Sequence, residues 1–177
     1  MSPIAAIPSI YRLLAACIPS RGPNDYGMLA TTALDGTACV RAVVLRGFDA
    51  ATHQLWINTN VHTEKIKHVR QHPDAEVCLW LSAKKVQLRM RAAWRVIDAV
   101  QGARALALGE LRQRSWIDQP LMSKHLYTAD PTNEPPADFA VLLGTIYQID
   151  ALRITGKAYE QYLHRRTRTA WESQRVT

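Results

Sequence analysis

The clearest periodicity in the chain is the alternation of "VQLRMRAAWRVI". Val86, Leu88, Met90, Ala92, Trp94 and Val96 fall on one side, and Gln87, Arg89, Arg91 and Ala93 on the other. Alternation with a period of two sends successive side chains to opposite faces of a strand, so this run predicts a long strand with one buried side and one wet or ligand-facing side. "YGMLATTALDGTACVRAVVLRGFD" reads as two strands around Asp35-Gly36, a dipeptide suited to a tight hairpin turn. A second turn, "GFDAATHQ", leads into the strand "LWIN". "AEVCLWLS" reads as a buried strand, "FAVLLGTIYQIDALRI" as another, and "YEQYLHRRTRTAWESQRV" as a closing hairpin.

Helical spacing is confined to three stretches. In "PSIYRLLAACIP" the residues Ile10, Leu13, Leu14 and Cys17 recur at i, i+3, i+4 and i+7, with Ser9 as N-cap and Pro19 as the stop. "TEKIKHVRQ" is a second helix, started by Asn60 as N-cap and ended by Pro73. "DAVQGARALALGELRQRSW" is a third, capped by Asp98, and "LMSKHLYTADPTNEPPAD" reads as a loop from its Pro, Asn and Asp content. Many short antiparallel strands with few helices predict a mainly β fold, an antiparallel barrel closed or half closed, with a few flanking α-helices. No regular strand-helix alternation and no G-x-G-x-x-G or P-loop is present, which argues against a dinucleotide fold. The length of 177 residues suits a single domain spanning 1–177.

Composition narrows the classes further. Apolar residues make up 47% and charged residues 21%, as in an ordinary globular chain with its own core. No apolar tract approaches the roughly 18 residues of a membrane span. The first residues lack a basic lead and two prolines interrupt their apolar part, so the expectation is a cytoplasmic protein without membrane partners. Cys17, Cys39 and Cys78 are far apart and read as small buried apolar residues. His68 and His72 share a helical face, but no glutamate lies between them, and no metal site is expected. There is no G-x-S-x-G nucleophile motif, and no catalytic residue is assigned.

Lys plus Arg number 22 against 15 Asp plus Glu, a formal net charge of +7, which suits an anionic partner. The basic residues are interleaved in "KIKHVR", "AKKVQLRMR" and "LHRRTR", as on a solvated face, and no nucleic-acid module is visible; nucleic acid, anionic lipid and a phosphorylated small molecule all fit the charge alone. Arg41 opens "RAVVLR", where alternation puts Arg41, Val43 and Leu45 on one side and Ala42, Val44 and Arg46 on the other. Further on, "NTNVHTEK" joins a strand to a helix start. A helix N-terminus offers unpaired N–H groups and a positive partial charge, so Thr63 and Lys65 could complete a phosphate site there. The same residues also fit a plain helix cap with a solvated lysine, and taken alone they leave both readings open.

The series from Arg41 to Gln87 resembles the pyridoxamine 5'-phosphate oxidase family of FMN-binding split barrels. That family combines an R-x-V-x-L-[KR] strand, a strand ending in a Thr-containing turn, an S-[RK]-K helix start and a later strand bearing Gln. Here these are Arg41 to Arg46, Asn58 and Thr59, Thr63 to Lys65, and Gln87. The resemblance implies FMN as cofactor, with Arg41, Thr63 and Lys65 at its phosphate. It places the backbone of Ala42, Val43 and Val44 along the ring, Asn58 and Thr59 at the ring or ribityl chain, and a hydrogen bond from Gln87. It further implies a homodimer with FMN at the subunit interface, the segment 116–124 reaching the partner's flavin, and a small-molecule substrate near Arg46. Two positions depart from the family. Glu64 stands where an arginine is usual, and is expected to face solvent. "KAYEQ", Lys157 to Gln161, stands where true oxidases carry R-L-H-D-R. The reading is therefore an FMN-dependent oxidoreductase of unknown substrate that has left vitamin B6 chemistry. The alternatives are a flavin-binding sensor or stress protein without turnover, or a split barrel holding heme or a deazaflavin.

Overall fold

The Asp35-Gly36 turn folds as its sequence predicts. Gly36 adopts a left-handed φ of 87°, which costs a residue without Cβ nothing, and the Asp35 carboxylate accepts the N–H of Thr37 at 2.9 Å. The computed structural model describes residues 2–18, 26–156 and 158–176. Around this turn Tyr26–Thr32 (β1) pairs antiparallel with Ala38–Asp49 (β2). Gln54–Asn60 (β3), Asp74–Leu81 (β4), Val86–Ile97 (β5), Phe139–Thr155 (β6), Ala158–Arg166 (β7) and Trp171–Arg175 (β8) follow.

The strands run β3-β2-β1-β4-β5-β6, and β3 pairs again with β6, which closes a six-stranded antiparallel barrel. β6 changes partner along its length: residues 139–145 bond to β3, whereas residues 148–155 bond to β7, and β8 extends that arm. The protein is thus mainly β, a split barrel with a few flanking helices. No helix among the described residues is long and apolar enough to cross a membrane.

The inward side of the predicted alternation fills the barrel. Val86, Leu88, Met90 and Ala92 of β5 are fully buried together with Leu29, Leu55, Ile57 and Val77. Each large side chain among them contributes roughly 1.5–3 kcal/mol of burial. The helix Ile7–Cys17 (α1) lays Ile7, Ile10, Tyr11 and Leu14 on this core. It begins before the expected cap. Ala6 is the N-cap, Pro8 occupies the first turn where a missing N–H is harmless, and Ser9 lies inside the helix, accepting a bond from Arg12. Pro19, its expected stop, lies outside the described residues.

A second apolar cluster forms outside the barrel. Ile97, Phe139, Val141 and Leu143 are covered by Leu111 and Trp116 of a helical segment. This segment is two helices where the sequence predicts one: Ala99–Arg104 (α3), capped by Asp98, and Leu106–Ile117 (α4). Ala105 between them is extended, and the chain folds back so that Gly102 meets Gly109, where an added Cβ would sit 2.8 Å from the Gly102 carbonyl oxygen. The stretch read as a loop holds a further single turn, Leu121–Lys124 (α5). Trp116 is fully buried and donates its indole N–H to the Thr132 carbonyl, so this residue of segment 116–124 is core and does not reach outward.

His164 ties the chain ends to the barrel. It is fully buried on β7, bonding through Nε2 to the Ile4 carbonyl at 2.9 Å and through Nδ1 to the Ser173 hydroxyl of β8 at 2.7 Å. Burial pushes its pKa below the usual 6.5, only partly opposed by the Ile4 bond and the Asp150 charge. The unfolded chain therefore takes up a proton near pH 6.5 that the folded protein resists. The contribution of His164 to stability is full above that pH and falls as the pH drops below it. In urea titrations at pH 7.5, His164→Asn is expected to cost about 1–3 kcal/mol for the groups left unpaired. The variant should then lose less stability than the wild type between pH 7 and pH 5. Parallel losses in both proteins would show that another group governs the acid response.

Candidate functional site

β2 and β3 stay together only over their turn-proximal ends. Leu45, Gly47, Phe48 and Asp49 pair with residues of β3, with a bulge between Leu45 and Gly47. Before it, residues 38–44 pair with β1 alone, and residues 58–60 of β3 pair with β6 alone. The two strands fork, and the helix Glu64–Gln71 (α2) caps this end of the barrel with Ile66, His68 and Val69 buried.

Two short polar chains meet in the fork. In one, Arg41 Nη1 donates to Thr31 Oγ1 at 2.5 Å, and Thr31 Oγ1 lies 2.9 Å from His68 Nδ1. In the other, Lys65 Nζ donates to Thr59 Oγ1 at 2.8 Å, Thr59 Oγ1 is 3.1 Å from Thr63 Oγ1, and Thr63 donates to the Asn60 carbonyl at 2.9 Å. Asn60 is not the N-cap. Its pairing with Phe139 keeps it in β3, its Oδ1 accepts the His62 N–H, and its Nδ2 donates to Asp138. Thr63 holds the cap position without a side-chain cap bond, so the first N–H groups of α2 remain open to whatever lies before them.

The electrostatics of this cluster are unbalanced. Burial lowers the pKa of Lys65, and the charge of Arg41 lowers it further. Among the described residues neither cation has a carboxylate partner. Glu64, the nearest acid in sequence, turns outward, 69% exposed and 2.8 Å from Lys67. Two partly desolvated like charges beside an uncapped helix N-terminus form a cradle that an anion would neutralise. A phosphate matches it, because guanidinium, ammonium and backbone N–H are all donors.

The remaining expected residues are distributed around the cradle. Ala42 is exposed and Val44 half-buried on the outer face of β2, while Val43 points into the core. Asn58 and Thr59 point to opposite faces of β3. Thr59 is in the cradle, whereas Asn58 turns to α4, donating to Gln119 Oε1 and the Ser115 carbonyl and accepting from the Ser115 hydroxyl. Gln87 stands on the outer face of β5, 3.5 Å from Cys78 Sγ. In the order β2-β1-β4-β5 it is three strand spacings, roughly 14 Å, from β2. Thr31 and His68 were not singled out for the cradle by the sequence. Only the hairpin register, which sets Leu29 opposite Arg41, brings Thr31 beside that side chain.

A cleft of about 960 Å³ opens next to the fork, between the outer faces of β2 and β3 and helix α4. Val44, Arg46, Trp56, Arg95, Arg114 and Asp118 are among its walls. Trp56 lies on Gly47, where a Cβ would meet the indole at 1.9 Å, so the glycine at the bulge shapes this wall.

Residues 12–98 match the family model described as "Pyridoxamine 5'-phosphate oxidase, FMN-binding domain". The chain is 26% identical over 149 residues to pyridoxine/pyridoxamine 5'-phosphate oxidase 2 of Arabidopsis thaliana, an alignment covering 74% of either protein. Among solved structures, a pyridoxamine 5'-phosphate oxidase-related, FMN-binding protein of Nostoc punctiforme superposes with a TM-score of 0.87 at 22% identity, covering 99% of this chain and 100% of that one. PhzG of Burkholderia lata, solved with tetrahydrophenazine-1-carboxylic acid, superposes with a TM-score of 0.69 at 14% identity, covering 97% and 91%. These two likenesses show a shared fold.

The cradle predicts a trade between stability and binding. Inorganic phosphate at ten times its Kd should raise the melting temperature of the wild type by roughly 3–6 °C. Lys65→Met should melt no lower than the wild type without phosphate, since one uncompensated cation is gone, and should gain nothing from phosphate. A variant that melts lower and still responds would make Lys65 a structural donor to Thr59.

Proposed function

We propose, from the match of residues 12–98 to the FMN-binding domain of pyridoxamine 5'-phosphate oxidase, that this chain is an FMN-dependent oxidoreductase of that family acting as a homodimer on a small anionic substrate. The observation that carries the reading is the Arg41–Lys65 pair, two cations that have no acid partner among the described residues, at the open end of α2. The residues fit the cofactor: Arg41 and Lys65 would hold its phosphate, and Thr59 and Thr63 would orient the Lys65 ammonium. The backbone of Ala42 to Val44, which lacks a β3 partner, would lie along its ring system. When bound, FMN supplies the electron transfer, and the protein contributes binding, orientation and electrostatics.

The homodimer accounts for Gln87. The outer face between β2 and β5 carries exposed Tyr26, Met28, Val40 and Trp80, an apolar area suited to a subunit contact. Across it, Gln87 of the partner subunit would serve the flavin held by Arg41. The substrate would enter the cleft beside Val44, where Arg46, Arg95 and Arg114 favour a carboxylate or phosphate. PhzG, with its carboxylic acid ligand, supports that class. Where oxidases of vitamin B6 place R-L-H-D-R, the described residues are tied into the fold: Glu160 accepts from Ser2 and Gln161 donates to Asp150. Lys157, which opens that stretch, lies outside the described residues. Turnover of pyridoxamine 5'-phosphate is accordingly not part of the proposal.

Purified protein titrated with FMN should quench flavin fluorescence, and NADH or NADPH under anaerobic conditions should bleach the bound flavin. Binding without any reduction would favour a flavin sensor. Arg41→Ala and Gln87→Ala are each expected to weaken FMN about tenfold or more. Mixed dimers of the two variants should regain one tight site per dimer, because one fork then pairs an intact Arg41 with an intact Gln87. Two equally weakened sites would place both residues in one chain's site and remove the argument for a shared interface.

A further inference from the structure

The cradle contains a buried pair that no ligand contact explains. Thr31 and His68 are 3% and 5% exposed, and they are bonded to each other at the inner side of Arg41. Arginine only donates, so Thr31 Oγ1 accepts from Arg41 Nη1. With the imidazole proton assigned to Nε2, the hydroxyl proton of Thr31 serves His68 Nδ1 as acceptor. This arrangement satisfies every contact in the chain. His68 is itself held: it lies on α2 between buried Ile66 and Val69, and the Thr31 backbone is fixed by its pairing with Cys39.

From this geometry we infer that His68 and Thr31 are positioning residues that hold the Arg41 guanidinium in the phosphate-binding direction and thereby set the preference for a phosphorylated flavin over the unphosphorylated one. An arginine side chain has several rotatable bonds, and ordering it at the moment of binding costs affinity. Thr31 fixes one end of the fork before any ligand arrives, with Nη2 and the rest of the guanidinium left to the anion. Lys65 is fixed independently through Thr59, so the two cations are ordered by separate hydrogen-bond chains. The inference deepens the proposed function and rests on Arg41 meeting the FMN phosphate.

The test compares FMN with riboflavin, which shares the ring and ribityl chain but lacks the phosphate. Dissociation constants are measured by fluorescence quenching for the wild type, Arg41→Ala, Thr31→Val, His68→Leu and His68→Asn. Thr31→Val keeps the shape and deletes only the hydroxyl, and His68→Asn presents an amide oxygen near the position of Nδ1. Thr31→Val and His68→Leu should each lose about tenfold in FMN affinity with riboflavin unchanged, and His68→Asn should retain most of the FMN affinity that His68→Leu loses. Equal losses for both ligands, or none in Thr31→Val, would overturn the inference and leave a merely structural pair. If Arg41→Ala itself keeps the full preference for FMN, the phosphate assignment falls and the inference with it. Loss of preference in Arg41→Ala alone sinks only the role of Thr31 and His68.

Discussion

The pairing of β3 with the first half of β6, from Gln54–Thr145 to Asn60–Phe139, constrains most of what this protein can do. It closes the barrel, and in doing so it draws the end of β3 away from β2. Without that separation residues 38–44 of β2 would bond to β3, and the fork that holds Arg41 and Thr59 would be zipped shut. The same pairing sets where α2 begins, because Asn60 stays in the strand and the helix starts only at Glu64. It also leaves the second half of β6 free to carry β7 and β8, which anchor the N-terminal segment through His164.

Within the fork the protein carries an electrostatic burden that its fold alone does not require. Arg41 and Lys65 are brought close without an acid partner among the described residues, and burial adds to the cost of charging Lys65. Four other cations have acids beside them: Arg89 and Arg91 share Glu76, Arg70 meets Asp98, and Lys67 meets Glu64. An anion at the fork relieves the repulsion, and the hydrogen-bond chains through Thr31 and Thr59 keep the two cations in place meanwhile.

Glu64 shows how a departure from a family pattern is absorbed. A carboxylate at the second position of the helix start would oppose a bound phosphate if it turned inward. As the first residue of α2 it instead points outward, where Lys67 three residues on receives it. An acid near a helix N-terminus is also favourable to the helix dipole, so the substitution supports α2 while leaving the cradle to Arg41 and Lys65.

Much of this was written in local sequence. The alternation of Val86 to Trp94 specifies the inner face of β5, Asp35-Gly36 specifies a turn, and the "RAVVLR" and "HTEK" segments carry the cations, because strand period, turn conformation and helix start are set by neighbouring residues. The break at Ala105 was not legible, since no breaker residue marks it and the contact between Gly102 and Gly109 that rewards it forms only on folding back. Nor was the burial of Trp116, the turn of α5, or the direction of Asn58, which period two alone would have separated from Thr59 but which Ser115 of α4 and Gln119 just after it decide. By itself the sequence determined the strands, the barrel class and the identity of the cationic residues. The tertiary structure alone decided that Arg41 and Lys65 face one space, that Thr31 and His68 stand behind one of them, and that Gln87 lies too far along the sheet to join them. Those relations depend on strand register and barrel closure, which join residues far apart in the chain and leave no periodic trace within it.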